Sequence, residues 1–243
     1  MYCHQRSQYI RSNSKKNSFR GNYLRKYGKC FFIYLGIYLH LTTPLHLAAE
    51  NGHLSVCQLI LTMGLNKSMG SMNPTRIHGA TPFHLAAKNG HLKICHLLSQ
   101  YLSSSCDNGF NPYDDFNFTP FHYAAENGHL SVCKFFVDNL SNKNPRWAGS
   151  LTPLDLAVFH GHFEICKLII ENIDNKNPGT FHELTPLHLA AFKGNIEIVK
   201  LILANVKDKN PKTMHGTPLM IANLRGHVEI AQLIISAMKT FEG

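Results

Sequence analysis

The strongest constraint on the fold of this 243-residue chain is a twelve-residue segment that occurs six times. The first copy, TPLHLAAENGHL, begins at Thr43, and every later copy also begins with Thr-Pro. The copies start at Thr43, Thr81, Thr119, Thr152, Thr185 and Thr217. Their starts lie 38, 38, 33, 33 and 32 residues apart. A period of this size indicates a stack of similar units, each too small to bury a core alone.

Each unit predicts two short antiparallel helices. The threonine hydroxyl can cap the first helix, and the proline follows at a position where a missing N–H costs nothing. Alanine stands five residues after each threonine, as at Ala48, and lets neighbouring helices approach closely. Nine residues after each threonine comes a glycine, which can end the first helix in a left-handed conformation. These glycines are Gly52, Gly90, Gly128, Gly161, Gly194 and Gly226.

Apolar residues at three- and four-residue spacing, as in 165–170, then predict the second helix. An Asn-Pro connection such as 144–145 ends it and turns the chain.

This pattern resembles the ankyrin repeat family, whose signature T-P-L-H-x-A has a period of 33 residues. The resemblance extends from Thr43 to about Ile235. It implies an all-α solenoid of stacked antiparallel helix pairs with projecting hairpin-like loops. We therefore divide the chain into a repeat domain, residues 43–243, and an N-terminal segment, residues 1–42.

Several units depart from the family pattern. The family often has glycine two residues before the threonine, where Gly79 fits and Asn117 can substitute at positive φ. Asp155 and Met220 replace the signature histidine in the fourth and sixth units. The sixth unit is therefore predicted to be a degenerate end repeat.

Two histidine columns follow the repeat register. The first lies three residues after the threonine and contains His46, His84, His122 and His188. The second lies ten residues after it and contains His53, His91, His129, His162 and His227. The resemblance implies that the first column bonds the backbone or the capping threonine and joins units, while the second braces the loop between helices. Equivalent positions in stacked helices lie about 8–10 Å apart, whereas a metal needs ligands within about 2 Å. We therefore predict no metal site, no catalytic residue and no cofactor.

A cysteine column follows the same register. Cys57, Cys95, Cys133 and Cys166 each lie fourteen residues after their threonine, where the last two units have Val199 and Ala231. This exchange predicts a buried slot for a small apolar group. Equivalent positions are too far apart for a disulfide, which needs Cα atoms within about 7 Å. Reduced buried thiols favour the cytoplasm, with the nucleus as an alternative, and argue against secretion.

The formal net charge of +9 is concentrated in the N-terminal segment, which has eight basic residues and no acid. The other residues are nearly neutral, so a nucleic-acid-binding repeat domain is not expected. An apolar run over 31–41 is too short to span a membrane. A signal peptide, a cap on the first unit and an incomplete first unit are the alternatives, and we favour the last two. Membrane association through residues 1–41 stays open and would appear as liposome binding.

The predicted function is a non-catalytic protein-interaction module or scaffold. The resemblance implies that partners contact the loop before each threonine and the two residues before each glycine. In the last three units these positions hold aromatic, apolar and cationic residues, which dominate binding energy at interfaces. The candidates are Trp147, Phe159, His160, Phe181, Phe192, Lys193, Leu224 and Arg225. Packing against adjacent loops is the alternative role of the apolar members.

A second functional hypothesis is a recognition segment of a larger protein, such as a kinase, an acyltransferase or an ion channel.

Overall fold

The Thr-Pro starts and the glycines delimit helices as the sequence predicts. A computed structural model describes residues 42–63, 79–102, 111–146, 151–179 and 184–239. Within these ranges there is no strand, and an isolated bridge joins Thr213 and Gly216. The helices are α1 Pro44–Glu50, α2 Leu54–Thr62, α3 Pro82–Lys88, α4 Leu92–Leu102, α5 Pro120–Glu126, α6 Leu130–Asn139, α7 Pro153–His160, α8 Phe163–Glu171, α9 Pro186–Lys193, α10 Ile196–Asn205, α11 Pro218–Arg225 and α12 Val228–Lys239.

The helices form six units of two, which we number 1 to 6 in chain order. Within a unit the first helix packs on the second, and between units the first helices pack together, as do the second helices. Each unit therefore contacts its sequence neighbours, as expected of a repeat stack. This arrangement confirms the all-α repeat solenoid.

The core runs through all six units without a break. The alanine five residues after each threonine is buried in every unit, which allows the first helices to approach closely. Larger side chains fill the space between first and second helices, among them Phe83, Phe121 and Phe136. The ring of Phe136 contacts the rings of the other two. The apolar surface that one helix pair would leave exposed is covered by the neighbouring unit.

The glycines that end the first helices have positive φ in all six units, between +74° and +79°. A Cβ atom at Gly128 would lie 2.7 Å from the imidazole of His162 in the next unit. Glycine is therefore required both for its left-handed conformation and for the space that the next histidine occupies. Gly79 and Asn117 also have positive φ, as the register predicts.

The four cysteines in the repeat register are free and buried, with Val199 and Ala231 buried in the same column. Burial raises the pKa of Cys57 to about 11 and that of Cys95 to about 12. The predicted slot for a small apolar group is thus confirmed. Cys3, Cys30 and Cys106 lie outside the described residues.

Residues 1–41 also lie outside the described residues, so the proposed cap or incomplete unit stays a prediction. In the described part of the chain, none of the helices has both the length and the apolar character needed to cross a membrane.

Candidate partner-binding surface on the first helices

The signature histidines are structural links between units. In unit 1, the imidazole Nδ1 of His46 accepts from the Thr43 backbone N–H at 3.1 Å, and the threonine hydroxyl lies 2.9 Å from the same atom. The opposite nitrogen, Nε2, donates to the Ala80 carbonyl just before unit 2 at 3.1 Å. A carbonyl can only accept, so the ring is the neutral tautomer protonated at Nε2. His84, His122 and His188 make the equivalent contacts.

The threonine hydroxyl caps the first helix as expected, and in units 1–5 the threonine and the residue three positions later form a capping box. It accepts from a backbone N–H in unit 4, where Thr152 bonds Asp155, and in unit 6, where Thr217 bonds Met220. In the histidine-containing units the hydroxyl also lies 2.8–2.9 Å from the imidazole Nδ1. The histidine side chain therefore takes part in the helix cap and also links its unit to the next one.

The second histidine column bonds in the opposite direction along the stack. The Nε2 atoms of His91, His129 and His162 donate to the carbonyl oxygens of Glu50, Lys88 and Glu126, each at the end of the preceding unit's first helix. These bonds, at 2.8–3.1 Å, brace the loop between helices and also join units.

Burial keeps His84 and His122 of the first column neutral at pH 7. It lowers the pKa of His84 to about 4 and that of His122 to about 3, because desolvation disfavours the imidazolium. Over the described ranges no cluster of three or more metal-ligating side chains occurs. The histidines are therefore explained by scaffolding.

Asp155 replaces the signature histidine in unit 4 and leaves that joint incomplete. One carboxyl oxygen accepts from the Thr152 N–H and hydroxyl, both at 2.8 Å. The other, Oδ1, is buried without a hydrogen-bond partner. Burial raises the pKa of this carboxyl to about 6. In units 1, 2, 3 and 5 the histidine at this position donates to the carbonyl oxygen just before the next threonine. In unit 4 the corresponding carbonyl is that of Leu184.

The C-terminal ends of the first helices divide the stack into two halves. In units 1–3 the helix has seven residues and is followed by Asn51, Asn89 or Asn127. Each asparagine side chain donates back to the carbonyl four residues earlier. In units 4–6 the helix has eight residues and ends instead at His160, Lys193 or Arg225. The capping amides of units 1–3 are thus replaced by imidazole or cationic side chains.

Two of these cations lie on aromatic rings of the preceding unit. The Lys193 Nζ atom is 4.3 Å from the ring centroid of Phe159, and the Arg225 Cζ atom is 3.7 Å from that of Phe192. Both distances fall within the range of cation–π attraction. A more distant example joins Lys88 and Tyr123, at 5.9 Å.

We call the six residues that end the first helices of units 4–6 the docking row: Phe159, His160, Phe192, Lys193, Leu224 and Arg225. Phe159 is half-buried, whereas Phe192 is 40% exposed and Leu224 is 84% exposed. His160, Lys193 and Arg225 are exposed. The structure thus places these six candidates on one face. The other two candidates, Trp147 and Phe181, lie outside the described residues.

The pairing of cation and ring was not predicted from the sequence. The sequence does contain a signal for this pairing. Phe159 and Phe192 lie seven residues after the threonine of their units, and in the next unit the residue eight positions after the threonine is a cation, Lys193 or Arg225. The Asn-Pro connectors were predicted from the sequence, but the hydrogen bonds of their asparagine side chains were not. Asn144, Asn177 and Asn210 accept from a backbone N–H of the following first helix at 3.0–3.1 Å.

Comparisons with known proteins agree with this architecture. A family model described as ankyrin repeats matches in three copies, over residues 26–109, 98–180 and 172–241. The crystal structure of an ankyrin repeat domain from Acinetobacter baumannii AYE is similar, with 26% sequence identity and a TM-score of 0.64. That similarity covers 80% of this chain and 97% of the bacterial domain. No curated relative matches the chain. Since the family model covers most of the sequence, the chain belongs to the ankyrin repeat family.

Proposed function

We propose that this protein is a non-catalytic interaction module that holds a protein partner on the docking row. Ankyrin repeats generally serve as protein-interaction modules, and that general role applies to this chain. The observation that carries the assignment to this face is the exposure of Phe192 and Leu224 beside Lys193 and Arg225. Aromatic and arginine side chains supply most of the binding energy at protein interfaces.

The contrast between the two halves of the stack supports units 4–6 as the main contact region. Units 1–3 have Glu50, Lys88 and Glu126 where units 4–6 have Phe159, Phe192 and Leu224. A single exposed apolar residue is ordinary, but apolar residues at the same position of three adjacent units form a contiguous patch. Such patches on water-exposed surfaces are typical of interfaces.

The chemistry of the buried groups supports a role without catalysis. The buried signature histidines are neutral and bonded at both ring nitrogens, and the buried thiols have raised pKa values. Neither group is available as a base or nucleophile. We therefore propose a scaffold in a reducing compartment, the cytoplasm or the nucleus, with proteins rather than nucleic acids as partners.

The test replaces both rings of the row in the full chain. Phe159→Ala with Phe192→Ala should weaken binding of a protein captured by the wild type at least tenfold, about 1.4 kcal/mol. Leu130→Ala is the matched control, because Leu130 is 42% exposed but lies on the second helix of unit 3. Undiminished capture by the double variant would contradict the proposal. A loss of stability near that of a core deletion, about 3 kcal/mol, would assign the rings to packing instead.

A second candidate function, recognition within a larger protein, is favoured by the outer face of unit 6. A Cβ atom at Gly226 would meet nothing within 4 Å, whereas at Gly194 it would meet His227 of unit 6. Met220, Leu224 and Val228 are also exposed there. This face can accept a further packed element. A full-length transcript that encodes a kinase, acyltransferase or channel domain would establish this function, and one without such a domain would exclude it.

For the N-terminal segment we propose an incomplete repeat that covers unit 1. The family match begins at residue 26, within this segment, which supports the proposal. Liposome binding that is lost on deletion of residues 1–41 would instead assign the segment to a membrane surface.

A further inference from the structure

We infer that the docking row recognises an acidic, extended segment of the partner, with one carboxylate bound at Lys193 and another at Arg225. The inference rests on the proposed function and adds the chemistry of the partner. It is carried by the position of the two cations on their rings and by the charges around them.

Arg225 lies over the ring of Phe192. The 3.7 Å separation between the Cζ atom and the ring centroid is that of a guanidinium group lying against a ring face. The five N–H donors of a guanidinium lie in its plane, so contact through the face leaves its edges free for a bidentate carboxylate. The ring thus orders a long side chain before the partner arrives, which reduces the entropy lost on binding.

Lys193 is held in the same way on Phe159. Neither cation is neutralised within the described part of the chain, where the ion pair observed joins Lys200 and Glu197 on α10. An ammonium group over a ring still directs donors away from it. Lys193 and Arg225, in adjacent units, can therefore bind an anionic ligand.

The first helices of units 4–6 carry no exposed acid. Their one acidic residue, Asp155, is buried at the start of α7. Glu50 and Glu126 end the first helices of units 1 and 3. Lys88 ends the first helix of unit 2, so the three helix ends of units 1–3 carry two acids and one cation. The ends in units 4–6 carry two cations and no acid, and this contrast favours binding of an acidic segment at units 4–6.

His160 contributes no fixed charge to the row at neutral pH. Partial desolvation is the largest cause that lowers the pKa of His160. Glu126 raises this pKa, whereas the nearby His162 and Lys193 lower it further. The positive charge of the row therefore comes from Lys193 and Arg225.

The repeat distance indicates the spacing of the carboxylates. Neighbouring helices pack about 8–10 Å apart. In a polyproline II segment every third residue lies on the same face, and three residues advance the chain about 9 Å. Carboxylates three residues apart would thus meet the two cations. Apolar residues between them, prolines above all, could contact Phe192 and Leu224, as in other aromatic-lined grooves that bind such segments.

The experiment uses the full chain and a fluorescein-labelled peptide of consecutive Glu-Pro-Pro triplets, with a Gln-Pro-Pro peptide of equal length. Fluorescence anisotropy should show at least tenfold tighter binding of the glutamate peptide, with affinity falling as salt is added. Lys193→Asn with Arg225→Asn should abolish this preference. Asparagine is the residue that units 1–3 use at this position, so the helix ends should stay intact, and thermal unfolding checks this.

The matched control is Lys167→Asn with Lys200→Asn, which removes the same charge from exposed positions on α8 and α10. It should keep the preference for the glutamate peptide. Equal binding of the two peptides, or equal losses in the two double variants, would overturn the inference. Tighter binding of a single-stranded oligonucleotide at the same cations would also overturn it. Another outcome separates the two proposals. If Phe159→Ala with Phe192→Ala weakens binding of the captured protein but the wild type does not bind the glutamate peptide, the proposed function stands and an acidic partner is excluded.

Discussion

At the scale of single residues, the repeated side chains act as joints between units. The six glycines differ in what the next unit places against them. His162 packs on Gly128, the Asn195 amide is 3.3 Å from a Cβ at Gly161, and nothing lies within 4 Å at Gly226. All three glycines have positive φ, so an alanine at any of them has the same conformational cost. The steric cost differs between the three sites and can therefore be measured separately.

We expect Gly128→Ala to be more destabilising than Gly161→Ala. Both substitutions carry the cost of a left-handed alanine, about 1 kcal/mol. Only the first also forces its methyl group against the His162 ring, at 2.7 Å. Urea unfolding should show a difference of about 1–3 kcal/mol between the two variants. Adding His162→Ala should remove the steric part of the cost, and equal free energies in the two glycine variants would show that packing is irrelevant.

Buried histidines should make the protein less stable in mild acid. The pKa values of His84 and His122 are about 4 and about 3 in the folded state, below the ordinary 6.5, so below pH 6.5 the unfolded chain binds more protons. At pH 5 each should cost about 2 kcal/mol of unfolding free energy relative to pH 7.5. Urea unfolding at the two pH values measures this loss. His122→Asp should reduce it, and an unchanged pH dependence in that variant would refute the assignment.

Asp155 should have the opposite pH dependence. Its pKa of about 6 exceeds the ordinary 3.8, so the folded state binds the proton more tightly and the carboxyl's contribution to stability is lost as pH rises from 4 through 6. Asp155→His should restore a donor toward the Leu184 carbonyl. We expect a gain of about 1–3 kcal/mol at pH 8 that shrinks toward pH 5, measured by urea unfolding. A gain that is equal at both pH values would exclude titration of this carboxyl as the cause.

At the scale of helices and connectors, the chain uses side chains to satisfy helix ends. Lys143, Lys176 and Lys209 donate to carbonyl oxygens near the ends of α6, α8 and α10. The asparagine after each lysine accepts from the next first helix. The Lys-Asn-Pro connectors therefore end one helix and position the start of another.

We expect Asn177→Ala to lower the free energy of unfolding by about 1–2 kcal/mol. The change leaves the Leu187 N–H at the start of α9 without its 3.1 Å bond, which costs the desolvation of a donor. Asn172→Ala is the control, because Asn172 is exposed and bonds only within the end of its own helix. Chemical denaturation of the two variants compares them. Equal effects would show that the connector asparagine has no special role.

At the scale of the whole molecule, stability should vary along the stack, because the main helix contacts among the described residues join units adjacent in the sequence. Units 2–5 have a neighbour on both sides. The outer face of unit 6 instead exposes Met220, Leu224 and Val228. Interior units should therefore open less often than unit 6.

Hydrogen exchange tests this expectation. Amides of α5 to α10 should exchange more slowly than those of α12, and deletion of residues 1–41 should speed exchange in α1 and α2 if the N-terminal segment covers unit 1. Mass spectrometry of peptic fragments gives the rates. Uniform protection across all units would indicate a single cooperative block instead. Unchanged exchange in α1 and α2 would contradict a cap at residues 1–41.

The amino-acid sequence was sufficient to predict the number of units, the helix starts, the left-handed glycines and the buried cysteine column. These features depend on local rules, such as proline at a helix start and glycine at positive φ, repeated in register. The predicted docking candidates also followed from register. Their arrangement did not, because the contact of Arg225 with Phe192 joins residues 33 positions apart in different units.

Only the tertiary structure decided which side chains meet across the joints between units. It placed His162 on Gly128, left Asp155 Oδ1 unpaired and set two cations on aromatic rings. Local propensity determines each helix pair, but these contacts depend on how closely neighbouring pairs stack. That distance results from the packing of small alanines against one another across units. The sequence of a single unit does not determine which side chains its neighbour places against it.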